Sequence, residues 1–140
     1  MADAATQGPT DGLAPYLMIR GGAGGAVGAI DFYKKAFGAD EVMRMPADDG
    51  KRLMHAHLKI NGDSLLLCDE FPEYMGGPLP APSGVTIHLQ VDDADTWWKR
   101  AVDAGATIKM PIADMFWGDR YGQLLDPSGH SWSIGGPLKK

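Results

Sequence analysis

The chain has 140 residues, 44% of them hydrophobic, with a formal charge of -5 and one cysteine. That length suits one domain with a real core, and no apolar stretch approaches the roughly 18 residues of a membrane-spanning helix. The acidic balance, with no basic run longer than the final Lys139-Lys140, argues against a nucleic-acid surface, which needs clustered cations to neutralise phosphates.

Residues 1–12 are small, polar and rich in Gly and Pro. They lack the basic start and apolar middle of a signal peptide, so a flexible N-terminal arm and a cytoplasmic protein are expected. Leu13 to Ile19 reads as a short strand before a glycine cluster. Ala26 to Phe37 reads as a helix, with Val27, Ile30, Tyr33, Lys34 and Phe37 at three-to-four spacing. Gly38 stands at the left-handed cap position. Asp40 to Met45 follows as a strand, ended by Pro46 and the turn Asp48-Asp49-Gly50. Leu53 to Ile60 and Ser64 to Asp69 read as strands joined by the hairpin turn Asn61-Gly62. Cys68 ends an apolar run and precedes Asp69 and Glu70. It is expected as a buried, inert thiol.

Residues 71–84 carry four prolines and three glycines and read as a linker that holds neither helix nor central strand. The order then restarts. Val85 to Val91 is a strand, Asp93 to Ala104 a helix capped by Gly105, and Thr107 to Met110 a strand stopped by Pro111. Arg120 to Leu125 and Ser131 to Ile134 are strands joined by the turn Asp126-Pro127-Ser128-Gly129. Phe37-Gly38-Ala39 running to Met45-Pro46 is echoed by Ala104-Gly105-Ala106 running to Met110-Pro111. Such self-similarity marks a duplicated unit. The expected organisation is an arm over 1–12, a strand–helix–three-strand module over 13–70, a linker over 71–84, a second module over 85–136 and a tail over 137–140.

Strand alternation assigns faces. Met54, Ala56, Leu58 and Ile60 should pack on a helix, with His55, His57 and Lys59 opposite. Val85, Ile87, Leu89 and Val91 should do the same, with Thr86, His88 and Gln90 opposite. The polar faces should line a concave side. Two histidines at i and i+2 can share a metal, and His88 supplies a third imidazole from the other module. Against this, His55 and His57 can hydrogen-bond locally and His130 sits beside a turn. The segment Asp114 to Gly122 gathers Phe116, Trp117 and Tyr121 around Arg120. It suits either a ligand wall, a plug at the end of the core, or a dimer contact. The glycine run Gly21 to Gly28 opens a helix as a phosphate loop would, but Val27 occupies the last glycine position of the G-x-G-x-x-G pattern.

The helix Ala29-Ile30-Asp31-Phe32-Tyr33-Lys34-Lys35-Ala36-Phe37-Gly38, the run Phe116-Trp117-Gly118-Asp119-Arg120-Tyr121-Gly122, and Asp126-Pro127-Ser128-Gly129-His130-Ser131-Trp132-Ser133-Ile134 resemble the glyoxalase/bleomycin-resistance/dioxygenase (vicinal oxygen chelate) superfamily. The nearest likeness is to its small PhnB-like proteins, and it extends over residues 13 to 136. The resemblance implies an α+β fold of two tandem βαβββ modules, their curled mixed sheet around a shared cavity and the helices outside, assembled as a homodimer. It also implies a divalent metal held from the first, fourth, fifth and eighth strands. Here those positions fall at Pro15, among Leu65 to Leu67, at Thr86 with His88 two residues on, and at Ser133, so the usual site is not expected.

The preferred reading is a small-molecule-binding protein without metal or other cofactor. Its ligand, aromatic or cationic, would meet His55, His57, Thr86, His88, Gln90, Trp117 and Tyr121. The alternatives are a lyase- or isomerase-like enzyme with an altered metal or acid–base site built on His57 and His88, and a dimeric scaffold with a vestigial pocket.

Overall fold

The computed structural model describes residues 8–139 apart from Asp11 and Ala23. The rest of the expected arm, and Lys140, lie outside the described residues. The first half contains β1 (Tyr16–Ile19), α1 (Gly25–Phe37), β2 (Asp40–Pro46), β3 (Leu53–Ile60) and β4 (Asp63–Asp69). A one-turn helix α2 (Pro72–Met75) follows. The second half contains β5 (Thr86–Gln90), α3 (Ala94–Ala104), β6 (Thr107–Asp114), β7 (Asp119–Leu125) and β8 (Ser131–Pro137).

Each half builds one four-stranded mixed sheet, in the order β1-β4-β3-β2 and β5-β8-β7-β6. In both, the first strand runs parallel to the last and the other pairs are antiparallel. A parallel pair needs a long crossover, and each half supplies its own helix for that purpose. Among the described residues the fold is α+β, with two sheets, three helices and no closed barrel.

The start of α1 is capped from a distance. Asp69, buried at the end of β4, accepts from Ala26 N at 2.7 Å and from Leu53 N at 2.7 Å. A side chain at Gly25, where φ is +59°, would place Cβ 2.5 Å from Asp69 Oδ1, so only glycine fits. The chain's own carboxylate thus fills the place that a phosphate would take in a nucleotide loop. At the other end, Arg100 of α3 donates to the Lys35 and Lys34 carbonyls at 2.7 and 3.2 Å. A cation there complements the helix dipole and ties the two modules together. Lys34 does not join the packed face but pairs with Glu41 at 2.9 Å.

The two helices share one core. Trp132 of β8 lies 4.8 Å from Phe37 and 5.4 Å from Tyr33, ring centre to ring centre. Gly122 exists for the same packing, because its Cβ would come within 2.5 Å of Trp98.

Four expectations are corrected. The linker does hold a helical turn, α2, because Pro72 takes its first position, where no N–H is needed. Met54 does not pack on a helix; it is 54% exposed. Met45 faces His55 while Pro46 faces Leu53, so the register slips by one residue and turns Met54 away. Pro111 does not stop its strand. β6 is an edge strand with register shifts on either side of Met110, and an edge tolerates a missing donor. Finally, Val85 precedes β5 and is 72% exposed.

Candidate functional site

The parallel pairing of β5 with β8 sets Thr86 opposite Ser131, His88 opposite Ser133 and Gln90 opposite Gly135. β7 then places Gln123 opposite Ser133 and Tyr121 opposite Gly135. Alternation puts all of these side chains on one face. Thr86 Oγ1 and Ser131 Oγ are 2.9 Å apart. The His88 ring is held at both nitrogens, by Ser133 Oγ at 2.7 Å from Nδ1 and by Gln90 Oε1 at 2.8 Å from Nε2. Gln90 can only accept at Oε1, so Nε2 carries the hydrogen and Nδ1 accepts from Ser133 in the neutral ring. Gly135 makes room, since its Cβ would come 2.9 Å from His88 Cε1.

Tyr121 stacks on His88 with ring centres 5.8 Å apart, and its hydroxyl accepts from Gln123 Nε2 at 3.0 Å. Trp117 meets Tyr121 edge-on at 5.5 Å. Arg120 holds the base of this aromatic loop, donating to Asp95 at 2.9 Å and Asp114 at 3.1 Å. Phe116 is 98% exposed and does not plug the core.

The first sheet gathers a separate set. Tyr16 Oη lies 2.8 Å from His55 Nδ1. Burial, with neighbouring His57, lowers the His55 pKa, which favours a neutral ring accepting from the hydroxyl. Burial raises the Tyr16 pKa, with Cys68 adding to it, and burial likewise raises Cys68. His57 is 1% exposed and bonds Ser64 Oγ at 2.8 Å through Nε2. Ser64 in turn lines a cleft of about 380 Å3 between the modules, whose other wall includes His88 and Gln90.

The structure therefore brings Thr86, His88, Gln90, Tyr121 and Trp117 onto one face. It places His55 and His57 on the other sheet, with Ser64 between His57 and the cleft. Sequence reading missed Gln123, Gly135, Tyr16 and Ser64. Alternation in β7 carries Gln123 with Tyr121, but strand order alone supplies the rest.

The residues do not fit the metal that the fold implies. Pro15 has no ligating side-chain atom. The Thr86 and Ser133 hydroxyls are neutral and bonded to Ser131 and His88. A divalent metal site favours imidazole, thiolate or carboxylate. Among the described residues no three of His, Cys, Asp or Glu come together for such a role. No helix among them is long and apolar enough to cross a membrane.

An uncharacterized protein of Mycobacterium bovis is 46% identical over 133 residues, covering 91% of this chain and 84% of the relative. Protein PA1353 from Pseudomonas aeruginosa superposes with a TM-score of 0.72 at 25% identity, covering 93% of this chain and 100% of that one. A Bacillus cereus protein described as a putative 3-demethylubiquinone-9 3-methyltransferase, PhnB protein, has a TM-score of 0.71 at 20% identity, with 90% and 99% coverage. The sequence model of one family matches residues 26–134. The chain belongs to the Glyoxalase/Bleomycin resistance protein/Dioxygenase superfamily.

Proposed function

We propose that this chain is a metal-free small-molecule-binding protein of the superfamily, in the manner of its drug-sequestering members. The observation that carries the reading is the substitution of the metal positions by Pro15, Thr86 and Ser133, with both hydroxyls bonded into a continuous polar face. That face joins two aromatic rings to His88 and Gln90. It offers flat contact area beside a few fixed polar groups, which is what a small-ligand site needs. An aromatic or cationic ligand would stack on Trp117 and Tyr121. The protein works as a homodimer in this reading. Exposed Met45, Met54 and Tyr74 offer apolar surface for a second copy.

Metal analysis of protein purified without chelator tests this directly. Sub-stoichiometric zinc, manganese, nickel and iron are expected. Stoichiometric metal that is lost on His57→Ala or His88→Ala overturns the reading. A thermal-shift screen of small aromatic compounds should yield stabilising ligands whose effect disappears in Trp117→Ala.

One observation favours a second reading. His88 has a hydroxyl on one nitrogen and an orienting amide on the other, the arrangement of a general acid–base residue. A reaction abolished by His88→Ala in metal-free protein would establish it.

A further inference from the structure

A second cleft, of about 560 Å3, opens between β1, the linker and β5. Met18, Leu79, Val85 and Ile87 give it apolar walls, and Arg20 and His130 add polar groups. Pro15 and Ser131 reach its edge, but His88, Tyr121 and Trp117 do not line it.

Arg20 is the unusual member. A guanidinium carries five donors and a permanent charge, and Arg20 is half-buried, so its inner donors are ones that water does not reach. Arg20 makes no hydrogen bond or ion pair among the described residues, and its Nε is buried without a partner. Glu70 does not neutralise it directly. The Glu70 carboxylate accepts from the backbone N–H groups of Gly21 and Leu79. Those amides chiefly hold its pKa below the usual range, with Arg20 a lesser contributor. The bond to Leu79 also pins the linker that forms one wall. The guanidinium lies against the Gly129 backbone beside Pro82: a Cβ at Gly129 would be 3.2 Å from Arg20 Nη2 and 3.5 Å from Pro82 Cδ. His130, next in the chain, is fixed by its Nε2 bond to the Met18 carbonyl at 3.1 Å.

A cationic ligand would be repelled here, and a neutral one would leave the guanidinium unpaired. We propose that this cleft binds an organic oxyanion, a carboxylate or phosphonate with an apolar body. The head meets the planar fork of Arg20, which matches two oxygens at once. The body lies on Leu79, Val85 and Ile87. This site stands independently of the function proposed for the His88 face.

Titration calorimetry and thermal shift with phenylacetate, phenylphosphonate and the neutral phenylacetamide test it. Both anions should bind and raise the melting temperature, and the amide should not; the stronger of the two identifies the preferred head group. Arg20→Gln should weaken the anions about tenfold or more, and Arg20→Lys should weaken them less because it keeps the charge but not the fork. Trp117→Ala and His88→Ala should leave anion binding unchanged. Ligand-free Arg20→Gln should melt no lower than the parent, because no described residue is bonded to the guanidinium. Equal binding of amide and anions overturns the proposal, as does binding that survives Arg20→Gln or no binding of either anion. Loss of binding in Trp117→Ala instead of Arg20→Gln moves the ligand to the His88 face and also overturns it. A shift from dimer to monomer on Arg20→Gln, without anion binding, would show a second copy filling the cleft and reject it as well.

Discussion

Removing the Asp126 carboxylate should show how strongly the two modules are tied. Asp126 is 4% exposed at the β7–β8 turn. Its Oδ2 accepts from Tyr33 Oη of α1 at 2.5 Å and from Trp132 Nε1 at 2.9 Å. Its Oδ1 accepts from the amides of Ser128 and His130 at 2.9 and 3.0 Å. In Asp126→Ala the Tyr33 hydroxyl and the Trp132 indole N–H stay buried without acceptors. Each orphaned group costs about 1–3 kcal/mol, so about 4 kcal/mol is expected in all. Tyr33→Phe alone removes one donor and leaves the carboxylate three, and should cost about 1–2 kcal/mol. Once Asp126 is alanine, the order inverts: Tyr33→Phe then removes an orphan and should cost nothing or restore stability. The coupling in the double-mutant cycle should therefore be about 2 kcal/mol. Urea unfolding, with unchanged m-values, measures all four proteins. Additive losses, or a cost below about 1 kcal/mol for Asp126→Ala, would falsify the tie.

Three further outcomes follow from particular groups. Gly135→Ala should displace the His88 ring, since Cβ would stand 2.9 Å from Cε1; a crystal structure with the His88–Ser133 bond intact would refute this. Asp49 and Glu73, both bonded to Arg52, are held at pKa values of about 2, Asp49 chiefly by backbone amides and Glu73 chiefly by the Arg52 side chain. Because the folded values are depressed, their stabilisation is present above the ordinary carboxylate range and is lost as pH falls from there towards about 2. Carboxyl NMR titrations should find both midpoints near 2, and Arg52→Gln should raise Glu73 most of the way towards the ordinary range, its own backbone N–H still holding it down, while moving Asp49 less. His55 should titrate below the usual histidine range, chiefly because it is partly buried, and should rise part of the way in His57→Ala, which removes a neighbouring ring that disfavours its charge; an unmoved ring-proton titration would contradict that second cause.

The sequence by itself determined the repeated order of elements, because that information is local. Periodicity marked α1 and α3, Gly38 and Gly105 marked their ends, and Asn61-Gly62 marked the hairpin. Alternation placed Thr86, His88 and Gln90 on one face before any partner strand was known. Where sequence reading failed, a non-local pairing was responsible. Pro111 reads as a strand end until β6 proves to be an edge. Met54 follows its alternation until the register slips against β2.

Only the tertiary structure decided which groups meet. Asp126 reads as an ordinary turn residue, and nothing local points to Tyr33, far earlier in the chain. The β5–β8 pairing set Ser133 on His88, and no spacing in either strand reveals a neighbour brought in by a parallel crossover. Arg20 follows its strand as one more basic residue. Its character comes from what the described residues do not provide: a partner for its buried Nε. Hydrogen-bond satisfaction belongs to the assembled core, so tertiary packing assigned both the polar face and the proposed anion cleft.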